Sequence, residues 1–127
     1  MKKRIAIAAI VSTLLFLSGI AHADTVSAVW TCKLKEGKTQ EDAQAVNAKW
    51  LKRARELTGS DAITSTYVNT AIGELGGFLW VDSFPDFSTW AKMMDAEEDE
   101  ELDAAFEALQ TCSSNRLYRG EETKAAK

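Results

Sequence analysis

Asp82 is the residue of this sequence best suited to acid–base chemistry. It lies within the apolar segment Phe78–Phe84, where it shares one parity with Phe78, Trp80 and Phe84. A carboxylate among such neighbours has three explanations. It is exposed at a strand end, it pairs with a cation such as Arg116, or burial raises its pKa so that it acts as a general base. We therefore take Asp82 as the candidate catalytic residue.

The first 23 residues have the features of a secretory signal peptide. Lys2, Lys3 and Arg4 precede an apolar run from Ile5 to Ile20, and Ala21-His22-Ala23 has the small-x-small form of a cleavage site. The apolar run is shorter than the roughly 20 residues that a membrane span needs. We predict cleavage after Ala23, a periplasmic or secreted location, and no stable membrane insertion.

Removal of this segment changes the chemistry that the chain can perform. The single histidine, His22, is lost, so Ser-His-Asp catalysis, His-ligated zinc and proximal-His haem are excluded from the remaining 104 residues. We expect no metal and no cofactor. Residues 24–127 keep 12 basic and 19 acidic residues, a net charge of −7. Such a surface repels phosphate backbones, and we expect no nucleic-acid partner.

The two cysteines, Cys32 and Cys112, predict one structural disulfide. An even pair in an exported chain is typical of such a bond. The alternative is a free or redox-active pair, but a C-x-x-C spacing is absent. The bond would tie an early segment of the domain to a late one.

The order of predicted elements is β-α-β-β-α-β. Alternation predicts strands at residues 25–34, 63–69 and 78–84 and from Cys112 to Tyr118, and apolar steps of three and four predict a helix over 40–58. Pro85 and Asp86 introduce a further helix through Met94, and another helical segment ends near Leu109. We assign residues 1–23 to the signal peptide, 24–119 to the domain and 120–127 to a flexible tail.

The acidic run from Asp95 to Asp103 lies between the last two helical segments. It lacks the glycine and the alternating Asp/Asn spacing of a calcium loop, so we expect a solvated helix start, where negative charge is favoured.

This order predicts an α+β, ferredoxin-like sandwich with a four-stranded antiparallel sheet. The first and last strands are neighbours in that fold, which is consistent with a bond between Cys32 and Cys112. The third strand has large apolar residues on both faces, although helices cover only one face. We therefore expect a second copy of the chain to cover the open face, as a homodimer.

Two segments resemble the dimeric α/β-barrel superfamily, in particular the antibiotic-biosynthesis-monooxygenase-like domains. They are Leu34-Lys35-Glu36-Gly37 before the first helix, and the stretch from Phe78 through Asp82 to Asp86 before the second. The resemblance implies that two sheets pair into a barrel and that a cavity lies between sheet and helices. A fold resemblance indicates architecture better than activity.

The resemblance also suggests site residues. Cofactor-independent oxygenation in related domains uses Asn, Trp, Tyr and Arg side chains to activate a phenolic substrate. Haem-degrading relatives need a histidine ligand, whereas this chain has Met93 or Met94 where many members have histidine. Residues of the suitable types are Trp30, Tyr67, Asn69, Trp80, Arg116 and Tyr118, together with Asp82.

Two functions follow from these observations. The first is a non-catalytic exported module that binds a small apolar or aromatic ligand or has a structural role, and the second is a cofactor-independent monooxygenase acting on a phenolic or polyketide-like compound. We favour the first, because no residue spacing is diagnostic of catalysis. Trp30, Trp80, Phe78 and Phe84 then belong to the barrel core or the dimer interface, and Tyr67 and Asn69 make ordinary sheet contacts.

Overall fold

The computed structural model describes residues 24–73, 76–121 and 123–126. The predicted signal peptide therefore lies outside the described residues, as does part of the predicted tail. The elements are β1 (Thr25–Leu34), α1 (Gln40–Thr58), β2 (Thr64–Asn69), β3 (Phe78–Phe84), α2 (Phe87–Met94), α3 (Glu100–Leu109) and β4 (Gln110–Gly120). Within the described part of the chain, no helix is long and apolar enough to cross a membrane.

The four strands form one antiparallel sheet in the order β2-β3-β1-β4. The α+β ferredoxin-like prediction is confirmed. The bounds of β1, α1 and β3 agree with the prediction. The last strand differs, because it begins at Gln110 rather than Cys112 and continues to Gly120, one residue into the predicted tail.

Side chains of the turns set the helix ends. Thr39 caps α1: its side chain accepts from the Asp42 backbone N–H, and the Asp42 carboxylate accepts from that of Thr39. Gly59 ends α1 in the left-handed conformation that glycine adopts without strain. Asp86 caps α2 as predicted, and Asp99 of the acidic run caps α3.

The helices cover one face of the sheet, and the core lies between the two layers. Two buried clusters form there. One surrounds Val26, Ile63 and Phe84, and the other surrounds Cys32, Phe78 and Leu109. Cys32 and Cys112 are register partners on β1 and β4, and their sulfurs are bonded, as predicted.

A β-bulge in β4 decides which of its side chains face the helices. Thr31 is opposite Ser114, but Cys32 is opposite Cys112, so Ser113 is an extra residue in β4. Asn115 and Leu117 therefore share the helix-facing side with Cys112, while Arg116 is opposite Val29 on the other face.

Candidate functional site

A cavity of about 720 Å³ separates the sheet from the three helices. It lies between the two buried clusters, and we call it the tryptophan cavity because every tryptophan of the chain lines it: Trp30, Trp50, Trp80 and Trp90. Met94 and Leu117 also line it and are 55% and 41% exposed, so the cavity opens to solvent. A volume of this size suits a small organic molecule.

The segment that connects α2 to α3 borders this opening. Met94 ends α2, Glu98 lies in the connecting turn and Asp103 is in the first turn of α3. Arg53 of α1 holds the turn in place, because its guanidinium donates to the Glu97 carbonyl oxygen at 2.7 Å and pairs with the Asp99 carboxylate at 3.5 Å.

The sheet places Trp30, Trp80 and Asp82 on the floor of the cavity. Trp30 of β1 is the register partner of Trp80 of β3, and Ala28 is the partner of Asp82. Trp80 is only 4% exposed, and its indole N–H donates to the Gln110 side-chain oxygen at 3.0 Å. Trp30 is 38% exposed although it lies on a central strand, because it lines the cavity that opens to solvent.

Asp82 is 6% exposed and accepts hydrogen bonds from two side chains. The Ser65 hydroxyl donates to its carboxylate, and the side chain of Trp30 donates as well. Asn47 donates from its amide nitrogen to the Ser65 oxygen at 2.7 Å, so an Asn47–Ser65–Asp82 chain runs from α1 to β3.

Burial is the main influence on the charge of Asp82. It raises the pKa from 3.8 to about 6, and the hydrogen bonds from Ser65 and Trp30 oppose that increase. At neutral pH the carboxylate is therefore mostly ionised, but neutral pH is only about one unit above its pKa. A group in this state can accept a proton from a bound ligand.

The remaining predicted site residues lie elsewhere. Tyr67 stacks on Phe78 with ring centroids 4.2 Å apart, and burial raises its pKa. Asn69 donates to Gln40 at 3.1 Å, and neither Tyr67 nor Asn69 lines the cavity. Arg116 is on the opposite face of the sheet from Asp82, so the structure does not bring these two residues together.

Two details of the predicted environment are therefore corrected. Asp82 is neither exposed at a strand end nor paired with Arg116, because it lies within β3 on the buried face and Arg116 lies on the open one. Trp30, Trp80, Phe78 and Phe84 all face the helices, which excludes the dimer-interface alternative on the open face for them.

Sequence reasoning missed the helical side of the site. Asn47, Trp50, Trp90 and Phe106 fall within the predicted helical segments and Glu98 within the acidic run, but the sequence analysis assigned none of them to the site. The predicted fold could have identified them, because in a ferredoxin-like fold the helices pack against the sheet face that carries Trp30 and Trp80. The described residues contain no cluster of three or more potential metal ligands.

The fold and the cavity together define a ferredoxin-like α+β protein with a ligand-sized space between sheet and helices, and solved structures share this fold. SnoaB, a cofactor-independent oxygenase from Streptomyces nogalater, superposes with a TM-score of 0.55 at 14% identity, over 80% of this chain and 97% of that one. A NIPSNAP-like domain protein from Burkholderia xenovorans superposes with a TM-score of 0.54 at 17% identity, over 83% of this chain and 91% of that one.

A NIPSNAP family protein from Agrobacterium tumefaciens str. C58 gives a TM-score of 0.55 at 18% identity, over 81% of this chain and 91% of that one. The predicted resemblance is thus confirmed for the fold, which this chain shares with these solved structures. No protein-family model and no curated protein sequence matches the chain.

Proposed function

We propose that this protein is an exported homodimer that binds a small aromatic molecule in the tryptophan cavity. One observation carries the proposal: all four tryptophans, one each from β1, α1, β3 and α2, line one solvent-connected space of about 720 Å³. Exposed aromatic surface inside a cavity is stabilised when an apolar ring covers it. Asp82, Asn47 and Gln110 supply polar groups that can orient such a ligand.

A variant at Asn115 tests binding in this cavity. Asn115 lines the cavity, is exposed and faces the helices opposite Trp30. Asn115→Trp should fill part of the space and weaken binding of a phenol panel by at least about tenfold, a loss of about 1.4 kcal/mol. Asn115→Ser, at the same position, should leave binding unchanged. Equal affinity of both variants, measured by isothermal titration calorimetry, would place the ligand elsewhere.

The open face of the sheet supports the homodimer. Val29, Leu79 and Val81 lie on it, half-buried by their neighbours but covered by no helix of the described residues. Tyr118 and Val68 lie on the same face and are 49% and 37% exposed. The face thus carries apolar side chains from all four strands, interspersed with serine, threonine and Arg116. Apolar groups left exposed on an uncovered sheet face are typical of an interface.

Export has two supports. The N-terminal segment has the pattern of a signal peptide, and the Cys32–Cys112 bond suits an oxidising compartment. Fractionation of cells expressing the full chain, followed by N-terminal sequencing, should yield protein that begins at Asp24 outside the cytoplasm. Recovery of uncleaved protein from the cytoplasm would refute export.

A second candidate function is cofactor-independent oxygenation of a phenol, favoured by Asp82. A carboxylate with a pKa of about 6 on the cavity floor can take the proton of a phenol. The resulting phenolate would be oxidised by dioxygen, and a phenol plus O₂ gives a quinone plus water. SnoaB, which shares the fold, is a cofactor-independent oxygenase.

Oxygen uptake separates the two candidates. The purified protein is incubated with a panel of phenols, alongside Asp82→Asn and a control, Asp61→Asn, in which the altered residue is exposed and outside the cavity. Catalysis predicts uptake that Asp82→Asn abolishes and Asp61→Asn keeps. Binding without uptake assigns the cavity to the non-catalytic function.

A further inference from the structure

All the charged side chains that line the tryptophan cavity are acidic. They are Asp82 on the floor and Glu98, Asp103 and Glu107 beside the opening. No lysine or arginine of the described segments lines the cavity, and none of these four carboxylates forms an ion pair within that part of the chain.

The nearby cations are engaged outside the cavity. Arg53 binds the Asp99 carboxylate and the Glu97 carbonyl oxygen. The Lys35 ammonium donates to the backbone carbonyl of Glu107 and leaves that residue's carboxylate unpaired. The lining carboxylates are therefore not neutralised by the cations next to them.

The aromatic lining of the cavity also favours cations. The face of an indole ring carries negative potential, and tryptophan attracts cations more strongly than tyrosine or phenylalanine does. Several aromatic rings together with carboxylates form the kind of cage that binds quaternary ammonium groups. Trp30, with more than a third of its surface exposed in the cavity region, has area available for such a contact.

We propose that the tryptophan cavity selects an organic cation, namely an aromatic compound that carries an ammonium or quaternary ammonium group. This inference rests on the proposed binding function and adds the charge of the ligand. An anion would be repelled by four carboxylates, and a neutral ring would gain only the apolar contact. A cationic ring gains the apolar contact, the cation–π attraction and the attraction of the carboxylates.

The overall charge of the chain acts in the same direction. Residues 24–127 have a net charge of −7. A cleft lined by one sign of charge raises the local concentration of the opposite ion. Binding of a cation should therefore weaken as salt is added, whereas binding of a neutral ring should change little.

Three ligands of one shape test the proposal. They are (4-hydroxyphenyl)trimethylammonium, its neutral isostere 4-tert-butylphenol, and the anion 4-hydroxybenzenesulfonate. Calorimetric titration of the exported, disulfide-bonded protein should show the ammonium compound binding at least about tenfold more tightly than the neutral one, and the sulfonate binding most weakly.

Two charge variants identify the source of the preference. Glu98→Gln, Asp103→Asn and Glu107→Gln together remove three exposed carboxylates from the cavity. The matched control neutralises Glu36, Glu41 and Asp61, which are exposed and lie outside it. The first triple variant should lose most of the tenfold preference, and the control should keep it.

The outcomes separate this inference from the function on which it rests. If the neutral phenol binds as tightly as the ammonium compound, the charge preference is overturned and the binding function stands. If the two triple variants lose the preference equally, the cavity carboxylates are not its source and the inference fails. If none of the three ligands binds, both the charge preference and the proposed binding function fail.

Discussion

Replacing Asp82 with asparagine should make the protein more stable at neutral pH. Burial raises the pKa of this carboxyl to about 6 in the folded protein, whereas its ordinary value is 3.8. Above pH 6 the carboxyl is ionised in both states, but ionisation costs more free energy in the folded protein than in the unfolded chain. Asparagine keeps the shape and the side-chain oxygen but removes the charge.

The size of the effect follows from the two pKa values. One pKa unit corresponds to about 1.4 kcal/mol, so the charged carboxylate costs the folded state about 3 kcal/mol at pH 7.5. The folded pKa is the higher of the two, so the stability contributed by this group is complete below about pH 3.8 and is lost as the pH rises through about 6. The cost at pH 4.5 is about 1 kcal/mol.

Urea unfolding of both proteins between about pH 4.5 and 7.5 measures this dependence. Asp82→Asn should exceed the original protein in unfolding free energy by about 2 kcal/mol more at the upper end than at the lower one. Asp42 and Asp86 do not confuse the comparison. Hydrogen bonds with Thr39 and Thr89, respectively, lower their pKa values, so their contributions change below pH 3.8. A difference between the two proteins that is constant across this range would refute the proposed burial of the charge.

Three further predictions concern the interface, the disulfide and a helix cap. Val81→Lys places a charge at the centre of the open sheet face and should convert the dimer to a monomer in sedimentation equilibrium; an unchanged mass would exclude this face as the interface. Replacing Cys32 and Cys112 with serine opens a link of sequence separation 80 and should lower the unfolding free energy by up to about 4.5 kcal/mol, measured in urea; an unchanged midpoint would contradict the stabilising role. Thr39→Ala removes the cap of α1 and should cost about 1 kcal/mol in the same assay, and a loss below a few tenths would show that the cap contributes little.

The strands and helices could be predicted because their signals are local. Alternation defined β1 and β3, apolar steps of three and four defined α1, and Pro85 and Asp86 marked the start of α2. The β1–β4 pairing followed from the fold, which brought Cys32 beside Cys112. Asp82 was singled out for the same local reason, as the one charged residue on an apolar strand face.

The position of Arg116 could not be predicted from alternation. In a regular strand that opens at Cys112, Arg116 would share the face of Cys112 and could approach Asp82. The extra residue Ser113 reverses that parity and moves Arg116 to the open face. A bulge depends on the pairing of two strands, so the sequence of one strand does not reveal it.

The cavity was implied only by the family resemblance. Its volume depends on how far α1, α2 and α3 stand from the sheet, which packing between layers decides. Trp50 and Trp90 look like ordinary core residues in the helical pattern. Only the assembled layers show that they face Trp30 and Trp80 across an open space.

Binding of a small aromatic molecule among the four tryptophans can be observed directly at their indole N–H groups. An NMR titration of ¹⁵N-labelled protein with (4-hydroxyphenyl)trimethylammonium and with 4-tert-butylphenol tests it directly, because the chain has only four indole N–H groups and all four residues line the cavity. We expect the indole resonances to shift together and to saturate with a single dissociation constant. Indole resonances that stay fixed at saturating concentrations of both compounds would contradict it.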